Sequence, residues 1–400
     1  MRAVLKFGGS SVATLEKIQA VADFIIKLKR KYSEIAVVAS AMGKTTDALI
    51  KMAEGISENP NQRELDSLLS TGEQQTISLL SMALNSKGQK AVSFTGYQAD
   101  VKTTGVHTKS RIQSIGTEKI ESCLQDGNIV IIAGFQGINE KGDITTLGRG
   151  GSDTSAVALA VSLNCECRIY TDVEGIYTVD PRFYPEAEFL KQISYEDMME
   201  MSHLGAGVME TRAVELGKKF NIPIFVGRSL CETGGTYIME RCVNLEEKLV
   251  TGISIIDEII TTTISNISYS ALKTAAVFTA VNSCGLNINM VMQNITKDNM
   301  AEISFSCKSS EKYLLNQAVN KIKKLFPEAV IDHKEKFGMI SVIGVGMINN
   351  SDVTGRFFSA LSSAGVSFYQ TTTSEISISC AIDRNLMEKA VRAAAKEFHL

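Results

Sequence analysis

The sequence predicts an α/β protein: a mostly parallel sheet sandwiched by helices, followed by two ferredoxin-like α+β modules. Three observations carry this. Short β-type runs alternate with longer amphipathic runs over the first 230 residues. The strands in that region are apolar along both faces, the pattern of a parallel sheet covered by helices. Beyond about residue 248 an internal repeat begins: VFTAVNSCGLNIN (277–289) and FFSALSSAGVSFY (357–369) share helix, glycine and strand in register, 80 residues apart.

The elements follow in order. AVLKF (3–7) reads as a strand. Residues 11–31 read as a helix, with Leu15, Ile18, Val21, Ala22, Ile25 and Leu28 on one stripe. IAVVAS (35–40) is a strand, 64–88 mostly helix, AVSF (91–94) and IVIIAGF (129–135) strands. Residues 152–164 form a helix, 168–173 a strand, 213–221 a helix and 222–227 a strand. In the repeat, each unit continues through a strand ending in cysteine (302–307, 375–380) and closes on a helix (312–326, 384–398). A split β-α-β-β-α-β pattern fits both copies.

Bulk properties exclude several classes. Four hundred residues exceed one compact core, so two or three domains are expected. The chain is 44% apolar and 21% charged with net charge −3, and no basic stripe carries interleaved aromatics, which argues against nucleic acid. The longest apolar runs are too short to span a bilayer, and MRAVLKFGGSS has no secretory h-region. Eight cysteines show no CxxC spacing and read as free thiols of a reducing cytoplasm.

The chemistry collects in glycine-rich segments directly after strands, at the carboxyl edge where open α/β sheets bind ligands. KFGGSS (6–11) is either a phosphate cradle, with Lys6 at the rim and Gly8, Gly9 and Ser10 around an anion, or a tight turn capped by Ser10 or Ser11. SAMGKTTD (40–47) offers Ser40 and Thr45; STGE (70–73) offers Glu73, which also fits a capping box with Ser70. In TTLGRGGSDTSA (145–156), Arg149 is a fork suited to carboxylate or phosphate, and Ser152 and Asp153 fall where an N-cap belongs. YTDVEGIYTVDPR (170–182) presents Thr171, Asp172, Tyr177, Asp180 and Arg182; its DPR alone is turn chemistry. Each segment has a structural explanation by itself. Four of them at one sheet edge point to an anionic ligand.

With FTGYQA (94–99) and AGFQG (133–137), these segments stand in the order of the aspartokinases, and the chain resembles that family over essentially its whole length. The resemblance implies the amino-acid-kinase fold followed by two ACT domains. It places a catalytic domain at 1–247, one ACT domain at 262–338, and a second at 249–260 plus 339–400, with TGISIIDE (251–258) as that domain's detached first strand. It implies transfer of phosphate from ATP to the β-carboxylate of L-aspartate, the entry to lysine (through diaminopimelate), threonine and methionine. Carried over residue by residue, Lys6 and Asp153 are catalytic, with Asp153 orienting Lys6. Ser40, Thr45, Glu73, Arg149 and Ser152 bind aspartate: Arg149 its α-carboxylate, Glu73 its ammonium. Lys6, Gly8, Gly9, Ser10, Thr171, Asp172, Tyr177, Asp180 and Arg182 serve ATP. Mg²⁺ enters with the nucleotide, and no protein ligand is assigned to it. The four histidines (His107, His203, His333, His399) lie outside the motifs. None is required, because the nucleophile is already ionised.

The chain departs from the family in three places. Gly207, in GAGVMETR (205–212), stands where many relatives have lysine, which leaves Arg212 as a second cation for the phosphates. Ala271–Leu272 and Ser351–Asp352 replace the Pro-Gly pair that opens each ACT helix. Asn289 replaces an aspartate beside Asn287, Gln293 and Asn294, the residues implied to hold a lysine or threonine effector. Losing an acid from an ammonium site predicts weakened or altered effector binding, on an ACT-linked homo-oligomer. The competing readings are a kinase for glutamate or N-acetylglutamate and a non-catalytic ACT-type amino-acid sensor.

Overall fold

The computed structural model describes residues 1–240, 248–348 and 352–400. They form two compact units. The first comprises Met1–Ile176, Phe189–Ser202 and 207–240; the second comprises Tyr177–Glu188, His203–Ala206 and the described residues from 248 onward.

The first unit is built on an eight-stranded sheet in the order 192–194, 236–239, 224–228, 166–171, 2–7, 34–39, 129–133, 91–94. Its five central junctions, from 224–228 across to 91–94, are parallel. The strand Arg2–Phe7 lies in the middle, with Ala3, Val4, Leu5 and Phe7 fully buried. This is why its sequence is apolar on both faces. Phe7 stacks on Tyr170 at 5.3 Å, and Phe24 meets the same ring edge-on at 5.1 Å.

Helix Leu15–Leu28 is shorter than the predicted 11–31. Thr14 is its cap, accepting from the N–H of Lys17 at 3.3 Å, and Gly9–Val12 form a separate 3₁₀ turn. The predicted stripe is buried except Leu15, which opens the helix and is 60% exposed. The predicted 64–88 helix is two helices, Gln62–Leu69 and Thr71–Ser86, joined at Ser70. Helix Gly151–Ser162 is buried on every side from Gly151 to Ala160, the apolar residues 156–160 and the polar residues Ser152–Ser155 alike.

A second sheet of four strands was not read from the sequence. Its order is Arg111–Ile115, Val101–Thr104, Gln136–Ile138, Ile144–Thr146. Its strands are three to five residues long, too short for an alternation to register.

The second unit holds one six-stranded sheet in the order 290–295, 300–308, 252–268, 330–343, 377–383, 368–373. Two long strands, Gly252–Ser268 and Val330–Ile343, run through both repeat modules, with pairing breaks near Ile256/Ile259 and Ile264/Ile267. Gly252–Ile256 pair with Met339–Ile343, so the detached strand lies beside the second module. Each module has its own core, one around Val277, Phe305 and Ile322, the other around Phe357, Cys380 and Val391. Val179 and Tyr184 belong to the latter core, and the N–H of Ile253 donates to Thr178 O at 2.7 Å. Segment 177–188, placed by sequence inside the 1–247 domain, therefore packs with the second unit. Ser351 lies outside the described residues.

Candidate active site at the carboxyl ends of the central strands

Three neighbouring strands end together in the first unit, and backbone hydrogen bonds lace their exits. The N–H of Ser40 donates to Phe7 O (3.2 Å), that of Gly134 to Ala39 O (3.1 Å) and that of Gly43 to Gly9 O (3.0 Å). A Cβ on Gly9 would lie 2.8 Å from the carbonyl oxygen of Ala41, so only glycine allows this approach.

Lys6 is one residue short of the end of its strand and is 8% exposed; Asp153, in the first turn of the all-buried helix, is 9% exposed. Lys6 Nζ meets Asp153 Oδ1 at 2.6 Å. Two opposite charges held out of water are weak evidence for stability and stronger evidence for a purpose. Ser152 and Asp153 are not the N-cap the sequence suggested. Gly150 caps the helix in the left-handed region (φ +65°), where a Cβ would strike the Glu210 side chain. The Asp153 carboxylate is thereby left to Lys6.

Glu73 is 3% exposed at the start of Thr71–Ser86 and is not a capping-box partner. The N–H of Ala41 donates to its Oε1 at 3.1 Å, while its Oε2 is buried with no hydrogen-bond partner among the described residues. Desolvation raises its pKa to about 7, against the downward pull of its own N–H and that of Ala41. Ser40 and Thr45 are half-buried nearby in the chain, and Thr45 Oγ1 donates to Met42 O at 2.6 Å. Arg149 is exposed and forms no ion pair among the described residues.

Other predicted residues are placed as follows. Ser10 is exposed; Thr171 Oγ1 donates to Asp172 at 3.1 Å. Tyr177, Asp180 and Arg182 fall in the second unit, where Arg182 Nη2 pairs with Asp180 at 2.6 Å. Arg212 is not a loose cation: its guanidinium donates to the backbone oxygens of Leu147 (2.9 Å) and Ser110 (3.0 Å). Asn287 Nδ2 donates to Glu311 at 2.8 Å, while Asn289 Nδ2 and Ser306 Oγ are buried with no hydrogen-bond partner among the described residues. Gln293 and Asn294 are exposed on the edge strand Met290–Ile295.

Sequence reasoning missed four residues. Asp66 is fully buried. Ser155 Oγ accepts from the N–H of Phe135 (3.0 Å) and pins that residue at φ +67°. Gln136 donates to Ser70 O at 2.9 Å. Glu311 supplies a carboxylate in the module that lacks an acid at 289. Asp66 stands among other polar residues of its helix, Gln62, Arg63, Glu64 and Ser67, so no local signal set it apart.

Comparison with known proteins fits this geometry. The amino acid kinase family matches residues 1–228, and an ACT domain matches 340–398. An aspartokinase of Geobacillus stearothermophilus is 43% identical over 398 residues, covering 99% of this chain and 97% of its own. The chain belongs to the aspartokinase family. Aspartokinase 2 of Bacillus subtilis is 42% identical at the same coverage. The fold agrees with that of Escherichia coli aspartokinase III in complex with aspartate and ADP, at TM-score 0.83 and 22% identity with both chains covered in full. This aspartokinase uses ATP to phosphorylate the β-carboxylate of L-aspartate. Among its described residues no helix is long and apolar enough to cross a membrane.

Proposed function

We propose that the strand-end charges divide the two substrates between them. Lys6, with the backbone of Gly8, Gly9 and Ser10, holds the transferring phosphoryl group. Asp153 keeps the Lys6 ammonium aimed. Arg149 grips the α-carboxylate of aspartate and Glu73 its ammonium, with Ser40, Thr45 and Ser152 alongside. Thr171 and Asp172 serve the nucleotide, and Mg²⁺ arrives on its phosphates.

One observation carries this reading most. Glu73 is a buried carboxylate with one oxygen held by Ala41 and the other unpartnered. A buried, half-satisfied carboxylate is expensive unless a cation answers it. The ammonium of an amino-acid substrate is such a cation. The β-carboxylate of aspartate is already ionised at neutral pH, so no base is needed. The work left to the protein is to bring two anions together and stabilise the phosphoryl group between them, which is positioning and electrostatics.

In the second unit, the unpartnered Asn289 amide and Ser306 hydroxyl, with Asn287 and Glu311 beside each other, support a site for a lysine or threonine effector. Gln293 and Asn294 complete its rim. The enzyme acts in the cytoplasm as a homo-oligomer joined through its ACT domains.

The test is ADP release coupled to a visible readout, with aspartate, glutamate or N-acetylglutamate as acceptor, with and without lysine and threonine. Turnover with aspartate alone is expected, with changed rates on adding an effector. Turnover with a different acceptor would reassign the substrate site. No turnover with intact lysine or threonine binding would make the chain a sensor.

A further inference from the structure

Arg149 carries the proposed grip on aspartate, yet it is exposed and forms no ion pair among the described residues. Something else must fix the loop it stands on. The strand Ile144–Thr146 leads into that loop, and two side chains outside the substrate motifs hold its end.

The first is Asp66, fully buried in helix Gln62–Leu69. Thr146 Oγ1 donates to Asp66 Oδ1 at 2.5 Å. The N–H of Thr108 reaches both carboxylate oxygens, at 3.1 and 3.0 Å, and His107 Nδ1 lies 2.7 Å from Oδ2. Each of these donors is a directional N–H or O–H contact, so the carboxylate fixes Thr146 rather than merely neutralising a charge. The second is Arg212, which reaches in from helix Thr211–Phe220. Its two Nη groups donate to Leu147 O and Ser110 O. Thr146 and Leu147 are thus clamped from two helices, three and two residues before Arg149.

The helix that carries Asp66 ends at Ser70, and Glu73 follows in the next helix. One carboxylate therefore ties the support of Glu73 to the support of Arg149. We infer that Asp66 and Arg212 are positioning residues for aspartate. They set the separation between the group that meets the α-carboxylate and the group that meets the ammonium. This rests on the proposed role of Arg149.

The test is a set of steady-state rates with each substrate varied in turn. Asp66→Asn, Thr146→Val and Arg212→Gln are expected to raise the aspartate KM, on the order of tenfold for Asp66→Asn and less for the other two. The ATP KM should stay within about twofold. Arg212→Lys, which keeps one donor, should recover part of the loss. Thr146→Val removes a single hydroxyl at nearly constant volume, so it reports even where Asp66→Asn fails to fold. The deciding arm repeats Thr146→Val and Arg212→Gln in an Arg149→Ala background. There they should change the aspartate KM by less than about twofold, because the group they position is gone. Equal fold-changes in both backgrounds, or aspartate and ATP KM rising together, would overturn the clamp. If Arg149→Ala itself leaves the aspartate KM alone, the role of Arg149 falls and the clamp with it. If it raises that KM while Thr146→Val and Arg212→Gln do not, the clamp alone falls.

Discussion

The two units bury different kinds of polar group. Among the described residues, every buried charged side chain lies in the first unit: Lys6, Asp66, Glu73, Asp153, Arg168 and Asp197. The second unit buries only hydroxyls, among them Ser254, Thr261, Thr262, Ser304, Ser306, Ser341, Ser377 and Ser379. Several of these pair across strands: Ser341 with Ser379 at 2.7 Å, and Thr263 with Ser304 at 2.9 Å. Burying a charge costs far more than burying a hydroxyl. The first unit bears that cost in part at Lys6, Glu73 and Asp153, the residues proposed to hold the two substrates. The second buries its hydroxyls largely in strand-to-strand registry.

The sharpest way to break this contrast is to remove a charge from the first unit. Lys6→Met should lower kcat on the order of a thousandfold, since it deletes a preorganised donor at the developing charge. It should also destabilise the fold by about 3–5 kcal/mol by leaving Asp153 buried and unpaired. Adding Asp153→Asn should restore stability but not turnover. Single-turnover rates and thermal melts of the two variants separate the effects. Recovery of activity in the double variant would mean that Lys6 does not act on the phosphate.

Glu73 gives a pH signature. Its folded pKa, about 7, lies above the ordinary 4.5, so the folded chain holds the proton more tightly than the unfolded one. Stability is therefore full below pH 4.5, declines as pH rises through 7 and levels off above it. The loss is about 3 kcal/mol in total. Glu73→Gln should gain on the wild type in melting temperature between pH 5 and 8, and the gap should close at pH 5. Substrate ammonium favours the ionised form, so the aspartate KM should fall from pH 6 to 8 in the wild type and stay flat in Glu73→Gln. A wild-type KM independent of pH would detach Glu73 from the ammonium.

The smallest effect belongs to the second unit. Ser341→Ala should cost about 1 kcal/mol by orphaning the Ser379 hydroxyl, and Ser341→Ala/Ser379→Ala should be nearer neutral. Neither should alter kcat without effector. A large kcat loss would mean that the second unit's strands serve the chemistry directly.

What was legible in the sequence follows the same division. The parallel sheet and its glycine exits could be read because apolar runs and glycine pairs are local signals. The Lys6–Asp153 pair could be proposed because both residues lie in motifs. The four-stranded sheet could not be read, because strands of three to five residues carry no periodicity. Asp66 escaped, and Arg212 was read as a cation for the phosphates, because their partners lie far along the chain, at His107, Thr108, Ser110 and Thr146–Leu147. The capping of Gly151–Ser162 was misread because Ser152 and Asp153 look like caps. The left-handed Gly150 takes that place and releases Asp153.

The central claim is that exposed Arg149 and buried Lys6 serve different substrates, Arg149 from the loop before helix Gly151–Ser162 and Lys6 from the central strand, paired with Asp153 of that helix. Initial rates of Arg149→Ala with aspartate and ATP varied separately test it most directly. The account predicts an aspartate KM raised on the order of tenfold or more, with the ATP KM within about twofold. A collapse of ATP affinity with the aspartate KM unchanged would contradict it.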